Sequence, residues 1–394
     1  MNDGSSTAAC PDPSHARRAV RKTVMSAVIV LALAALLSSC SSGDGVSTTQ
    51  TSVMAPTTSA TTPVTTTAPP SAGAPGDSAG SWVEVRVPDA PAEAHAVGLS
   101  EDALLIAARM GSGATLSAYL FDRDELIELP VSGTDVFQPD IDGSLAVWWE
   151  GTFDEGASSY TEQGICAYLL PGGPKTEVAE ARQGVSYPQV AGSWITWTEG
   201  SPSADLPDEY WHMPILGVEV DAGGAPRGAP VELMPSAIAA VAGDAFFDYS
   251  LSSTHLAWEQ GRAAEDLALG THVMDLDTLQ PSSVGPEAWR PSIAGGTLVY
   301  FENGLKAGDL KTGQVSEIDA QGDYASAAPT FAAYFRVSDG GGYEIVARGL
   351  TGGHEQVLGS ASEPPWLSPD IAASAGYVAF IAGGAVKLFK WHGQ

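Results

Sequence analysis

Residues 139–150 read PDIDGSLAVWWE, and the same pattern returns at residues 188–199, PQVAGSWITWTE, and at residues 291–302, PSIAGGTLVYFE. Each copy has two short segments of alternating apolar and polar residues, separated by a turn that contains glycine. This arrangement predicts a β-hairpin. Looser copies occupy residues 99–109, 251–259, 328–337 and 369–380.

The sequence after each hairpin predicts further strands. A third alternating segment follows the copies, for example at residues 165–170 and 345–350, and a polar turn and a fourth segment such as residues 177–179 usually come next. Four antiparallel strands, repeated about seven times at roughly 45 residues per repeat, are typical of a β-propeller. We therefore predict an all-β fold, a seven-bladed β-propeller of four-stranded antiparallel blades, over residues 81–394.

Two segments decide how many blades there are and how the ring closes. The apolar run at residues 103–108 fits a helix as well as a strand, and a helix there leaves six blades. The last copy ends at its third strand, so residues 82–87 near the start are expected to supply the missing fourth strand. Closure of this kind covers the bare edges and apolar faces of the end blades.

The repeat resembles the propeller of TolB-like proteins, in which Pro-x-Trp-Ser-Pro-Asp-Gly precedes the second strand. Residues 366–370, WLSPD, the Asp142-Gly143 turn and residues 289–291, WRP, match parts of that phrase. The resemblance covers most of the chain in architecture. It implies a propeller, and it leaves the function open because one fold serves many functions.

The first 39 residues have the pattern of a signal peptide. Four basic residues between positions 17 and 22 precede an apolar run at residues 23–37, which is shorter than the roughly 20 residues of a membrane-spanning helix. Residues 37–40, LSSC, resemble the lipobox of bacterial lipoproteins. The resemblance implies cleavage before Cys40, its lipidation, and a location on the extracytoplasmic face of a bacterial cell membrane. The alternative is an ordinary secretory peptide with a chance cysteine.

The segment that follows is predicted to be a disordered linker. Residues 41–80 consist almost entirely of Ser, Thr, Pro, Ala and Gly, so they cannot bury enough apolar surface to fold. The predicted organisation is a lipoprotein signal peptide at 1–39, the lipidated Cys40 and linker at 40–80, and the propeller at 81–394.

Composition disfavours several classes of function. The chain has 47 acidic and 18 basic residues and a net charge of −29, which repels nucleic acids and anionic membrane surfaces. Its three cysteines cannot form a disulfide framework. The seven histidines lack zinc spacing, and no nucleotide-binding fingerprint is present. We predict no cofactor and no metal; the alternative is a calcium ion at Asp140-x-Asp142 or Asp275-x-Asp277.

The long connections point to one end of the propeller. In an antiparallel blade, the loop after the second strand and the crossing to the next blade leave from the same end, and the longest of these span residues 150–164, 199–213, 234–248 and 259–270. We call this end the long-loop face and the opposite end the short-turn face. Residues 139–285 contain 22 acidic and four basic residues. Because loops on a rigid scaffold commonly carry function, the long-loop face is the candidate binding face.

The candidate binding residues are the carboxylates and aromatic side chains expected there. They are Glu150, Asp154, Glu155, Tyr160, Glu199, Asp208, Tyr210, Trp211, His212, Glu259 and Glu302. The four glutamates each end or follow a second strand and are expected around the mouth of the central channel. Aromatic residues stack on sugars, peptides or cationic groups, and carboxylates accept hydrogen bonds or pair with bases. The competing interpretation makes the carboxylates solvated rim charges and the aromatics loop packing.

The leading functional hypothesis is a binding module at the bacterial cell envelope, with an envelope protein or a cell-wall or solute ligand as its partner. The alternative is a carboxylate-dependent enzyme, a glycan hydrolase or lyase, that uses Glu150 with Glu199 or Glu259. The third hypothesis is a structural spacer with no ligand. The sequence assigns no catalytic residue. Cys166 and the second-strand aromatics at positions 148, 197, 258, 300 and 380 are expected in the core.

Overall fold

The structure, a computed structural model, describes residues 80–110, 113–154, 156, 159–180, 187–202, 210–234, 238–240, 249–260, 270–338, 341–351, 353–361 and 371–393. These residues form 31 β-strands and no helix. Accordingly, this part of the chain contains no helix long and apolar enough to cross a membrane. The predicted signal peptide, Cys40 and the linker up to residue 79 lie outside the described residues.

Strand β1, which belongs to the last blade, precedes blades 1 to 3 along the chain. The strands are β1 (Gly80–Val85); blade 1, β2 (Ala94–Leu99), β3 (Ala103–Met110), β4 (Gly113–Leu120) and β5 (Glu125–Glu128); blade 2, β6 (Asp135–Asp142), β7 (Leu145–Asp154), β8 (Ser159–Leu169) and β9 (Lys175–Glu180); and blade 3, β10 (Gln189–Ala191), β11 (Trp194–Thr198), β14 (Ile215–Glu219) and β15 (Val231–Met234). Three short strands, β12 (Ser201–Pro202), β13 (Tyr210–His212) and β16 (Ile238–Ala240), form a separate sheet, which we call the accessory sheet.

The remaining strands complete four more blades. They are blade 4, β17 (Tyr249–Leu251), β18 (His255–Gln260), β19 (Gly270–Asp275) and β20 (Gln280–Gly285); blade 5, β21 (Trp289–Ala294), β22 (Thr297–Phe301), β23 (Leu305–Asp309) and β24 (Val315–Asp319); blade 6, β25 (Gly322–Ala327), β26 (Phe331–Ser338), β27 (Gly342–Gly349) and β28 (Glu355–Ala361); and blade 7, β29 (Ile371–Ser374), β30 (Tyr377–Ala382), β31 (Ala385–Gly393) and β1.

The blades form a closed ring. The first strand of each blade contacts the first strand of the next blade, and β29 of blade 7 contacts β2 of blade 1. The predicted seven-bladed propeller is therefore confirmed. The six-bladed alternative is wrong, because the apolar run at residues 103–108 lies in β3 and pairs with both β2 and β4. Burial on both sides of the blade explains why that strand is continuously apolar.

The N-terminal strand closes the ring as expected, beginning at Gly80 rather than at residue 82. It pairs with β31 in an antiparallel register from Gly80 opposite Gly393 to Val85 opposite Leu388. Trp82 is buried between blades 6 and 7, with its ring centroid 4.8 Å from that of Phe331. The Gln356 side chain accepts a hydrogen bond from Trp82 N at 2.8 Å and donates one to Trp82 O at 3.0 Å. These contacts hold β1 to both neighbouring blades.

Large second-strand aromatics fill the seams between blades. Trp148, Trp197, Trp258, Tyr300 and Phe380 are each at most 4% exposed, which confirms their predicted place in the core. An aromatic side chain buries a large apolar area, so each of them contributes strongly to the cohesion of adjacent blades.

Polar side chains of the innermost strands join neighbouring blades around the channel. At one equivalent position in five blades, a side-chain oxygen accepts a hydrogen bond from a backbone N–H of the next innermost strand. The bonds are Val190 N to Asp140 at 2.8 Å, Leu251 N to Gln189 at 2.7 Å, Ile293 N to Ser250 at 3.0 Å, Ala327 N to Ser292 at 2.9 Å and Ala373 N to Ser326 at 2.9 Å. In blade 1 the position is Gly98, where a Cβ would lie 2.6 Å from Pro139 O.

Candidate binding face

The accessory sheet joins two insertions on the long-loop face. Strands β12 and β13 lie between the second and third strands of blade 3, and β16 lies in the crossing from blade 3 to blade 4. In the sheet, Tyr210 pairs with Ala240, Trp211 with Ala239 and His212 with Ile238. The structure thus brings together two of the connections that the sequence assigned to this face. Asp208 and Glu155 lie outside the described residues.

A long hairpin in blade 2 extends the same face. The predicted loop at residues 150–164 is instead largely strand, because β7 continues to Asp154 and β8 begins at Ser159. Phe153 and Tyr160 form a cross-strand pair near its tip, with ring centroids 5.1 Å apart, and both are half-buried. Asp154 is exposed at the end of the strand and accepts a hydrogen bond from Gly156 N at 2.8 Å.

Tyr160 also belongs to an aromatic cluster that runs inward toward the channel. Its ring lies 5.1 Å from that of Trp149, and the Trp149 ring lies 5.3 Å from that of Phe137 on the innermost strand. Burial, followed by the charge of Asp135, raises the pKa of Tyr160 to about 12. The phenol therefore stays neutral at physiological pH and acts as a hydrogen-bonding group.

Glu150 lies in a seam between blades, where it forms an ion pair with Lys175. It is 6% exposed, it accepts a hydrogen bond from the Trp148 indole N–H at 2.9 Å, and Lys175 Nζ lies 2.5 Å from its Oε1. Glu199 has a related arrangement, since Trp197 Nε1 donates to its Oε1 at 3.3 Å. These two carboxylates satisfy buried indole N–H groups, a role that buried donors require.

Glu259 belongs to a cluster shared by blades 4, 5 and 6. Its Oε2 accepts a hydrogen bond from the backbone N–H of Arg290 at 3.2 Å. One guanidinium nitrogen of Arg290 donates to both carboxylate oxygens of Asp323, at 2.6 and 2.5 Å, and the guanidinium lies 4.0 Å from the Tyr324 ring centroid. Glu302, in contrast, is half-buried and ion-paired with Lys306 of its own blade.

A repeated backbone distortion marks the channel mouth on this face. Gln138, Arg290 and Tyr324 have φ of 51°, 53° and 48°, and each lies within a β-bulge of an innermost strand. A left-handed conformation costs a non-glycine residue roughly 1–2 kcal/mol, and bulges re-aim side chains beside functional sites. These three residues are not among those predicted from the sequence. Each of them lies two positions before the polar residue that bonds to the next blade, which is Asp140, Ser292 or Ser326.

The other residues considered from the sequence have structural partners. Cys166 is 3% exposed, as expected for a core residue, and burial raises the pKa of its thiol to about 12. Asp140 and Asp142 accept hydrogen bonds from Val190 N and Gly192 N of blade 3. Asp275 accepts hydrogen bonds from the Thr278 N–H and hydroxyl. Within the described ranges, no three His, Cys, Asp or Glu side chains come together as a metal site.

Among its described residues, the long-loop face thus offers aromatic edges, carboxylates and the arginine cluster around Arg290. Half-buried aromatic rings next to hydrogen-bonding groups suit recognition of a peptide or a sugar. The predicted pairs of Glu150 with Glu199 or Glu259 are divided among separate seams, where each carboxylate has a protein partner.

Comparisons with known proteins found similarity in fold only. No family model matches the sequence, and no curated protein matches it. A putative TolB from Agrobacterium tumefaciens is 12% identical, with 78% of this chain and 92% of that chain covered and a TM-score of 0.40. The β-propeller domain of the Trilobed protease from Pyrococcus furiosus is 10% identical, covering 68% and 81%, with a TM-score of 0.48.

A prolyl endopeptidase structure is 11% identical and has a TM-score of 0.50, with 77% of this chain covered and 50% of the peptidase chain. This chain therefore spans half the length of that protein. At such identities, the similarity concerns the fold alone. The chain is a closed seven-bladed β-propeller whose fold is similar to those of TolB and of peptidase propeller domains.

Proposed function

We propose that the chain is a lipid-anchored binding module on the extracytoplasmic face of a bacterial cell membrane. Its long-loop face recognises an envelope protein, or a cell-wall or solute ligand. The anchor is the lipid on Cys40, which follows the signal peptide at residues 1–39. The linker up to residue 79 separates the anchor from the propeller, and its composition corresponds to an average span of about 35 Å.

The observation that carries this proposal is the accessory sheet. Two insertions that β14 and β15 separate along the chain meet in it, one from within blade 3 and one from the crossing to blade 4. Ring closure does not require such a sheet, because neighbouring blades already cover one another. Additional ordered structure at one end of a rigid scaffold is the usual form of a binding surface.

The chemistry of the face supports a polar, partly aromatic ligand. The blade 2 hairpin presents half-buried Phe153 and Tyr160 beside exposed Asp154, and the channel mouth holds the Arg290 cluster. Rigid aromatic rings supply contact area at a low entropic cost, and charged groups at the rim set orientation. We therefore favour a protein or glycan with basic or hydroxyl groups as the partner.

The test is affinity capture of envelope components by residues 80–394, which contain every described strand. In the test variant, residues 200–213 are replaced by Asn-Gly, which joins Glu199 to Pro214 where Glu199 N already bonds to Pro214 O at 3.3 Å. The matched control replaces residues 221–225, on the short-turn face of the same blade, with the same dipeptide.

The wild-type chain and the control variant should recover the same component, whereas the variant without residues 200–213 should lose it. Circular dichroism and thermal unfolding check that both variants keep the propeller fold. Equal recovery by all three proteins contradicts a binding role for the accessory sheet.

A further inference from the structure

The chain enters the propeller at one corner of blade 7. Strand β1 is the outermost strand of that blade, and after Val85 the chain crosses to β2 of blade 1. All crossings leave from the long-loop face, so Gly80, at the other end of β1, lies at the short-turn face opposite Gly393. An anchor attached to residues 1–79 would therefore be connected to the propeller at the outer rim of blade 7.

Blade 7 is also the exception in charge. Residues 80–85 and 371–393 contain Lys387, Lys390 and one acidic residue, Glu84, whereas residues 86–370 contain 42 acidic and 12 basic residues. Lys387 is ion-paired with Glu84 at 2.7 Å. The blade that receives the linker is therefore the part of the propeller that an anionic surface does not repel.

One lysine, Lys390, lies beside the point of entry, with its Nζ 5.2 Å from the Tyr377 ring centroid. Val83 pairs across the strands with Lys390, and Ser81 pairs with His392, and all four residues are exposed. We call these four residues the anchor patch. Val83 is 46% exposed, which adds an apolar contact to the charge of the lysine. Basic groups near a membrane surface are attracted by anionic lipid, and an apolar side chain is accommodated at the interface.

The accessory sheet lies on the far side of the ring. Seven blades in a closed circle place blade 7 opposite blades 3 and 4, and those two blades flank the accessory sheet. The accessory sheet and the strongly acidic residues 139–285 thus both belong to blades that do not adjoin blade 7. A surface charge that is so unequally distributed orients a molecule in an electric field.

We propose that the anchored propeller stands edge-on at an anionic membrane, with the anchor patch of blade 7 toward the lipid and the accessory sheet at the distant edge. This inference rests on the proposed lipid anchor at Cys40. The linker keeps the patch at a high local concentration near the surface, so a weak attraction is sufficient to set the orientation. Six acidic blades are repelled at the same time, within about a Debye length of the lipid.

The test measures energy transfer from the lipidated full-length chain to acceptor-labelled lipid in vesicles. A fluorophore is placed at Gly393→Cys in blade 7 or at Gln280→Cys in blade 4, in a Cys166→Ala background. Both sites are exposed on the short-turn face, on opposite sides of the ring. Vesicles contain phosphatidylcholine alone or phosphatidylcholine with phosphatidylglycerol.

Transfer from position 393 should exceed transfer from position 280 on anionic vesicles, and the excess should decrease in neutral vesicles and at high salt. Lys390→Glu should reduce the orientational preference by about fivefold per unit of charge changed. Lys311→Glu is the matched control, because Lys311 is exposed in blade 5, and it should leave the preference in place.

Equal transfer from the two positions on anionic vesicles would show that the disc lies flat and would overturn the proposal. An excess that survives both Lys390→Glu and high salt would also overturn it, because the linker alone would then set the orientation. Failure of the chain to float with the vesicles overturns the lipid anchor itself and is thereby distinguished from an incorrect orientation.

Discussion

Asp140 makes the stability of the propeller depend on pH in a direction that is unusual for an aspartate. Burial in the seam raises its pKa from 3.8 to about 6, although the hydrogen bond from Val190 N acts in the opposite direction. The folded chain therefore binds more protons than the unfolded chain between about pH 4 and pH 6. The free energy of unfolding falls as pH rises through that window and is then constant with respect to this group.

The Asp140→Asn variant removes the titration and keeps an oxygen that accepts from Val190 N. Two pKa units correspond to about 3 kcal/mol, which is an upper limit because Asp140 retains partial exposure. We expect the variant to be more stable than the wild type at pH 7, by about 1–3 kcal/mol, and to have lost the decline between pH 4 and pH 6.

The assay is urea unfolding of residues 80–394, followed by tryptophan fluorescence at a series of pH values from 4 to 8. Asp142→Asn is the matched control, because it removes a charge from an exposed residue two positions away. The decline with pH should persist in that control. A stability of Asp140→Asn at pH 7 equal to or below that of the wild type, or an unchanged decline, would refute the reasoning.

Three further changes test the seams and the closure of the ring. Trp82→Ala should lower the free energy of unfolding by about 3–5 kcal/mol in the same urea assay, because it removes the buried anchor of β1; a loss below 1 kcal/mol would contradict that role. Glu150→Ala should cost about 3–5 kcal/mol by leaving Lys175 without its carboxylate partner, and Glu150→Gln should cost less because it keeps an acceptor for the Trp148 indole N–H; a Glu150→Gln variant as stable as the wild type would mean that the charge is unimportant there. Cys166 should react with a thiol reagent at pH 8 only after unfolding, because its buried thiol has a pKa of about 12, and rapid labelling of the folded chain would show that it is accessible.

Local sequence patterns were sufficient for much of the fold. Alternating segments around glycine turns predicted the hairpins, and the repeated aromatic at the end of the second strand predicted the buried seam residues such as Trp148. The missing fourth strand of the last copy led to β1, because a ring cannot leave one blade incomplete. The run at residues 103–108 remained ambiguous, since periodicity does not distinguish a strand buried on both faces from a helix.

The candidate site was less predictable, because its contacts join residues that are distant in sequence. Glu150 follows a second strand like a rim carboxylate, and nothing local shows that Lys175 and the indole of Trp148 enclose it. The pairing of Trp211 with Ala239 likewise depends on the positions of two blades. Sequence patterns identified which face carries the insertions, and only the packing of blades determines which of its polar groups are already occupied.

Site-specific photo-crosslinking tests most directly whether the long-loop face is the binding surface. A photoreactive amino acid replaces Asp154 on the blade 2 hairpin or Ser253 on the short-turn face, both of which are exposed. After irradiation of the lipidated chain in cells, position 154 should yield a discrete adduct with an envelope component and position 253 should not. Adducts that form from position 253 alone, or equally from both positions, would contradict the assignment of the binding surface.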